Sequence, residues 1–274
     1  MKVTVLIENT SLNSSLKVEH GLSFYIQHDG KNYLLDSGST KAFMDNAKIL
    51  NVDLNQVDYT ILSHGHYDHS GGFINYLKEY KNKSIYASSK VFDAYFSKAR
   101  GTLHEIGVQK DLFSLKERFI FLDKHKMIEK DVHLIFASTD QSHHYAKKAK
   151  LYNKKMEYDD FCHEISLVFD TNKGLVIFNS CSHGGPIEIV ERVKQLLPHR
   201  PLYAYIGGLH MKGQIDEQEI CTYTNDELEK LCELFKNTYV YVGHCTGDIS
   251  YHLLENRLKN KIKRLTTGLT FNLD

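Results

Sequence analysis

Ser63-His64-Gly65-His66-Tyr67-Asp68-His69-Ser70-Gly71-Gly72 packs three imidazoles and one carboxylate into the six positions 64–69. Neutral imidazole nitrogens and ionised carboxylates are ligands for Zn²⁺, Fe and Mn²⁺, and without a metal this density would set several polar rings side by side for no return. The chain carries 16 histidines in 274 residues, so adjacent pairs arise by accident, but an ordered His-x-His-x-Asp-His has a chance frequency of roughly a few in a thousand. Gly65 and the Gly71-Gly72 pair predict a tightly turned backbone instead of a regular helix. From such a loop His64, His66, Asp68 and His69 fan toward two adjacent metal positions. The loop follows the β-rich run Val57-Asp58-Tyr59-Thr60-Ile61-Leu62 and precedes Phe73–Tyr80, which has helical spacing. A strand end followed by a loop is where α/β sheets place their chemistry.

Outward from the loop, strands are predicted at 2–8, 22–28 and 31–36, the last two joined by a type I′ signal at Asp29-Gly30. Helices are predicted at 41–50 and 89–99, the latter with Val91, Ala94 and Tyr95 on one face, and a weak strand at 84–87. Strands near 119–122 and 132–137 precede a polar Lys/Tyr-rich stretch read as a loop or lid. The second half repeats the theme. Strands at 164–169 and 175–179 flank a Thr171–Gly174 turn, and a helix runs from Pro186 to Leu197 with proline in its first turn. A strand at 202–206 and a helix near 225–236 follow, the helix opened by the capping-box residues Thr224 and Glu227. A strand at 239–242, a helix at 249–259 and a strand near 269–273 complete the reading. Two strand-rich halves interleaved with helices predict facing sheets flanked by helices.

The loop, together with Tyr33-Leu34-Leu35-Asp36-Ser37-Gly38, resembles the metallo-β-lactamase-fold hydrolases, whose signature is a His-x-His-x-Asp-His loop after a short strand. The segments Cys181-Ser182-His183-Gly184-Gly185, Gly207-Gly208-Leu209-His210 and Gly243-His244-Cys245-Thr246-Gly247 most resemble the subgroup named after a dihydropterin ribofuranosylaminobenzene 5′-phosphate synthase. The resemblance covers nearly the whole chain. It implies a four-layer αβ/βα sandwich, and it implies that Asp36 supports the metal loop and that Asp68 both ligates one metal and orients the attacking water.

A four-residue ligand set cannot close the coordination of two metals, so further ligands must arrive from distant strand ends. His183, His210 and His244 each follow an apolar strand beside glycine, which makes His183 and His244 the first candidates and His210 an additional one. Where most relatives carry an aspartate bridging two metals, Cys181 stands here. It is either a thiolate ligand or a structural cysteine. His163, just before a strand, is a reserve candidate, while His143 and His144 lie in the polar stretch and read as exposed or substrate-contacting. The expected assignment gives His64 and His66 to one metal position, Asp68 and His69 to the other, with His183 and His244 completing them.

A bound Zn²⁺-type ion lowers the pKa of its water from about 15.7 toward 7 and makes hydroxide available, so hydrolysis follows. Two divalent ions are expected, zinc first, with iron or manganese as alternatives. The glycine-rich starts of the helices after Gly184-Gly185 and Thr246-Gly247 offer N–H groups to an anion, which points to a small anionic ester, a phosphoester first. A di-iron redox or oxygen-handling enzyme, or a metal-binding ligand sensor without turnover, stays open beside this reading.

At 274 residues and 42% hydrophobic content, with three prolines and no linker-like tract, the chain reads as one domain over 1–274. Thirty-four basic residues balance 34 acidic ones, so overall charge makes no case for nucleic acid or membrane. The basic runs 147–155 and 259–264 read as solvated faces. The short apolar run at the start meets Glu8 too early for a signal sequence, and no stretch is long enough to span a bilayer, so a cytoplasmic location is expected. Five cysteines with no Cys-x-x-Cys pair predict reduced thiols.

Overall fold

Lys2–Ile7, Ser23–His28 and Lys31–Leu35 are rich in β-branched, aromatic and leucine side chains and pair antiparallel. The computed structural model describes residues 1–99, 101–138, 140–215 and 218–273. Asp29 and Gly30 turn the second strand into the third with φ of 47° and 73°, the left-handed pair that a type I′ turn requires. Beyond this meander the sheet changes character: Lys31–Leu35, Tyr59–Ile61, Ile85–Ser88 and Phe119–Leu122 run parallel, and Thr270–Asn272 closes the opposite edge. The helices Ala42–Ile49 and Phe73–Glu79 send Phe43, Met44, Phe73 and Tyr76 into the same buried cluster as Leu34, Leu62 and Ile85. Each such side chain contributes about 1.5–3 kcal/mol on burial.

The chain divides into two compact units, Met1–Asp93 with Ile106–Asp123 and Leu265–Asp274, and Ala94–Glu105 with Lys124–Arg264. The second unit has its own seven-stranded sheet of the same kind. Lys126–Glu129, Val132–Phe136, Ile165–Thr171 and Gly174–Asn179 form the antiparallel part, and Leu202–Gly207, Tyr239–Val242 and Ile262–Arg264 extend Gly174–Asn179 in parallel. Parallel pairing needs crossovers, and the helices Pro186–Leu196, Asn225–Phe235 and Asp248–Leu258 supply them. Pro186 occupies the first helical turn. Thr224 Oγ1 accepts from Glu227 N at 3.3 Å while Glu227 Oε2 accepts from Thr224 N at 2.7 Å, completing the capping box.

Four sequence expectations are corrected. No helix forms over 89–99: Ser88 Oγ accepts the Lys90 N–H, a turn follows at Asp93, and Phe96–Ser97 pairs with His104–Glu105 and Leu151–Tyr152 instead. The period of Val91 and Tyr95 came from burial, not from helix. The polar stretch contains a helix, Ser142–Ala149, that buries Ser142, Tyr145 and Ala146. A hairpin of Lys212–Ile215 and Gln218–Cys221 falls where no strand was read. The basic run at 259–264 is not a purely solvated face, because its cations cover aromatic rings, Lys261 at 4.5 Å from the Tyr239 centroid and Arg264, in the edge strand Ile262–Arg264, at 4.3 Å from that of Tyr251. Among the described residues no helix is long and apolar enough to cross a membrane.

Candidate functional site

In the first unit the parallel strands end in the two segments singled out by the sequence. Asp36 follows Lys31–Leu35 with φ 61°, and Ser63–His69 follows Tyr59–Ile61. A non-glycine residue in this region costs about 1–3 kcal/mol and persists only where its surroundings hold it. The Asp36 carboxylate is completely buried and accepts three hydrogen bonds, from Ser63 N at 2.7 Å, Ser63 Oγ at 2.7 Å and His69 Nδ1 at 2.8 Å. This fixes the His69 ring and puts Nε2 on the opposite edge, 3.7 Å from Asp68 Oδ2. Ser63 Oγ lies 2.8 Å from His64 Nδ1 and orients that ring in turn.

The His64 ring centroid lies 4.5 Å from that of His66 and 4.2 Å from that of His69, with all three residues buried. Three imidazoles this close repel one another once protonated, and a cation among them reverses that sign. A carboxylate–histidine hydrogen bond behind a ligating ring is the usual support of such a ligand. The exposed His20 adds an unforeseen neighbour, its Nε2 being 3.2 Å from Asp68 Oδ2. Backbone contacts hold the loop: Ser37 N donates to His69 O at 2.8 Å, and Leu22 N to Asp68 O at 3.4 Å. Gly71 and Gly72 are required by this approach, since a Cβ on either would stand 2.0 Å from Ser39 O or 2.3 Å from Ser37 O. Residues 67–70 form one helical turn where only tight loop was expected.

In the second unit Cys181, His183, His210, His244 and Cys245 all follow the carboxyl ends of parallel strands. Ser182, His210 and His244 hold φ of 59°, 47° and 53°, so the chain bends sharply as it leaves each strand. The ligand atoms of Cys181, His183 and His210 lie within 4.8 Å of one another, and so do those of Cys181, His244 and Cys245. His183 stacks on Phe161 with centroids 4.6 Å apart. Asn179 Oδ1 accepts from Ser182 N at 2.5 Å, and Ser182 Oγ donates to Gly208 O at 2.5 Å, tying the first loop to the second. His163 is buried but engaged elsewhere: its Nε2 is 3.1 Å from Asp159 Oδ2, and its ring packs 3.9 Å from that of Tyr95. His143 and His144 are exposed, with His143 Nδ1 at Tyr158 O and His144 Nε2 at Glu227.

Glu164 was not foreseen. It is completely buried, and its two oxygens accept from His183 N at 3.0 Å and Gly184 N at 2.9 Å. Burial pushes its carboxyl up to about 7, against the opposing pull of those N–H groups and of His163 and His210. The adjacency of Glu164 to His163 before a strand was its only sequence signal. The chain's own carboxylates lie close to both glycine-rich helix starts from which an anion site was expected. Glu164 takes two N–H groups of the loop that leads into Pro186–Leu196, and Glu219 Oε1 accepts from Ile249 N at 2.9 Å in the first turn of Asp248–Leu258.

A buried, carboxylate-supported histidine and aspartate loop after one parallel strand, with thiols and imidazoles at the ends of others, gives this α/β protein side-chain groups that could hold a metal ion. The family model of the metallo-beta-lactamase superfamily matches residues 16–125, and the chain shares the fold of solved metallo-beta-lactamase-fold proteins. It is similar to a Methanocaldococcus jannaschii protein named 7,8-dihydropterin-6-methyl-4-(beta-D-ribofuranosyl)-aminobenzene-5'-phosphate synthase, with 28% identity across 98% of this chain and 95% of the relative. Among solved structures it superposes on Tm1679, described as a metal-dependent hydrolase of the beta-lactamase superfamily, with TM-score 0.79, 22% identity and coverage of 100% and 99%. A diphosphatase from the PhnP family follows with TM-score 0.54, 15% identity and coverage of 100% and 98%. Zn(2+)-bound PqqB from Methylobacterium extorquens gives TM-score 0.56 at 11% identity, with both chains covered completely.

Proposed function

We propose that this protein is a metal-dependent hydrolase of a small anionic ester, a phosphoester first, and that it works with two divalent cations, zinc first. The observation that carries the reading is the Asp36–Ser63–His69 arrangement, a buried carboxylate that orients the rings of a dense imidazole cluster. The donor chemistry fits: neutral imidazole and carboxylate suit zinc, iron and manganese alike. His64, His66, Asp68, His69, His183 and His244 are the proposed ligands. A cation bound there supplies Lewis acidity that polarises a phosphoryl or carbonyl oxygen. Asp68 provides the base, and His20, 3.2 Å from it and exposed, relays the proton between Asp68 and solvent. The preference for a phosphoester rests on the phosphate in the relative's name and on the diphosphatase among the structural neighbours.

The test is metal analysis of protein purified after growth with zinc, manganese and iron, followed by a panel of phosphomonoester, phosphodiester, thioester and lactone substrates. Bound metal with cleavage of a phosphoester, abolished in Asp68→Asn, is the expected result. A chain that binds no metal, or a loaded one that cleaves nothing on the panel, sinks the reading. The archaeal relative's name favours a second reading, a synthase that joins two substrates. Condensation by a loaded enzyme inert toward every ester would select it.

A further inference from the structure

The strand ends of the second unit carry one donor that the sequence reading did not name, Cys245. Cys245 directly follows His244, is buried, and lies with its Sγ 3.7 Å from Cys181 O. Gly208 makes room for it, since a Cβ there would stand 2.4 Å from the sulfur. Cys181, His244 and Cys245 form one three-donor set and Cys181, His183 and His210 another, each within 4.8 Å, and Cys181 is common to both. Donors on a tetrahedral zinc stand about 3.3–3.8 Å apart, given bonds of about 2.0–2.3 Å, so a contraction of about 1 Å seats an ion in either set. The second set also contains a buried imidazole nitrogen, His210 Nδ1, with no hydrogen-bond partner among the described residues. A buried polar atom of this kind calls for an explanation.

We propose that Cys181 and Cys245 are both thiolate ligands, Cys245 joining His244 on one soft-donor position and Cys181 bridging it to a second position held by His183 and His210. This deepens the metallohydrolase reading and rests on it. Each thiol releases its proton to solvent as its sulfur binds the cation, and no oxidant or reductant is involved. A thiolate bridge supplies the negative charge that the aspartate of most relatives would bring, and its softness biases the site toward zinc over manganese.

The experiment is absorption spectroscopy of the cobalt-substituted full chain, in which ligand-field bands report bound metal and near-ultraviolet charge-transfer bands report sulfur ligation. The proposal places three sulfur–cobalt bonds in the protein, two from the bridge and one from Cys245. Cys245→Ser should therefore lose about one third of the charge-transfer intensity, Cys181→Ser about two thirds, and the double variant all of it. Cobalt bound with no charge-transfer band overturns the proposal and leaves the hydrolase reading standing, whereas no bound cobalt overturns both. An unchanged band in Cys245→Ser removes that ligand, and equal losses in the two single variants remove the bridge. For a variant that fails to fold, X-ray absorption at the zinc edge of the wild-type chain decides: sulfur in the zinc shell supports the proposal, and a shell of nitrogen and oxygen alone overturns it.

Discussion

Each unit clamps a donor-bearing loop with one completely buried carboxylate, but the two clamps grip different things. Asp36 reaches side chains: it holds Ser63 Oγ and the His69 ring as well as one backbone N–H, and through Ser63 it orients His64. Glu164 reaches only backbone, taking the N–H groups of His183 and Gly184 and leaving the His183 ring to its stack on Phe161. The first clamp sets ring orientation by directed hydrogen bonds, and the second sets where the chain turns. Removing Asp36 should therefore disturb ligands and stability together, while altering Glu164 should act mainly on stability.

The largest effect is expected from Asp36→Ala, which leaves three buried donors without their acceptor. A loss of about 3–5 kcal/mol in denaturant unfolding is expected, as for breaking a buried charged network. Metal affinity should fall by about 10–100-fold, as for other supporting partners of metal ligands, provided the variant folds. A variant that keeps wild-type metal affinity would erase the contrast between the clamps.

Glu164→Gln should come next, at about 1–3 kcal/mol, because an amide satisfies only one of the two N–H groups. This clamp also has a pH signature. With its carboxyl pushed up to about 7 in the folded chain from an ordinary 4.5, the native state holds the proton more tightly than the unfolded one. The associated stability is fully present below about pH 4.5 and is lost as pH rises through about 7. Across that window the wild-type chain should lose about 3 kcal/mol that the glutamine variant does not. Unfolding of metal-free protein at pH 4.5 and pH 8 measures it, and parallel profiles for the two chains would refute it.

The smallest effects belong to a control outside both loops. Partial burial would raise Glu227, but the Lys148 ammonium and the Thr224 N–H outweigh it and hold the carboxyl down to about 2. Its stability contribution is present above about pH 4.5 and lost as pH falls toward 2, so Lys148→Ala should flatten the acid limb of the stability profile. The pair is partly exposed, and an effect of about 1 kcal/mol or less is expected. Thr224→Ala should cost about 1 kcal/mol through the lost cap. Both variants should bind metal as the wild type does, and altered affinity in either would show that the clamps are not the local devices described.

The asymmetry between the clamps is also one of legibility. Asp36 was readable through the resemblance of its strand, ending in Asp-Ser-Gly, to the metallo-β-lactamase-fold pattern, and the His64–His69 cluster draws notice by density alone. The Asp29-Gly30 turn, Pro186 and the Thr224–Glu227 box were readable for a similar reason, since their physics lies within four residues of chain. Glu164 is one acidic residue before a strand, and nothing local says that its oxygens meet N–H groups some twenty positions later. Residues 89–99 failed differently: their apolar spacing was real, but Val91 and Tyr95 are buried from turn and loop backbone, where spacing carries no helical meaning.

The two donor groups also differ in how far apart their members lie along the chain. His64, His66, Asp68 and His69 are near neighbours in the chain, whereas Cys181 and Cys245 are separated by 64 positions and assemble only after the parallel strands between them have zipped together. Closing a loop of that length costs chain entropy that a contiguous cluster never incurs. The first group therefore offers a chelate to any cation met by the emerging polypeptide, while the second offers none until the sheet is built. On the proposed metal-binding reading, metal present during refolding should load the contiguous loop before the strand-end donors.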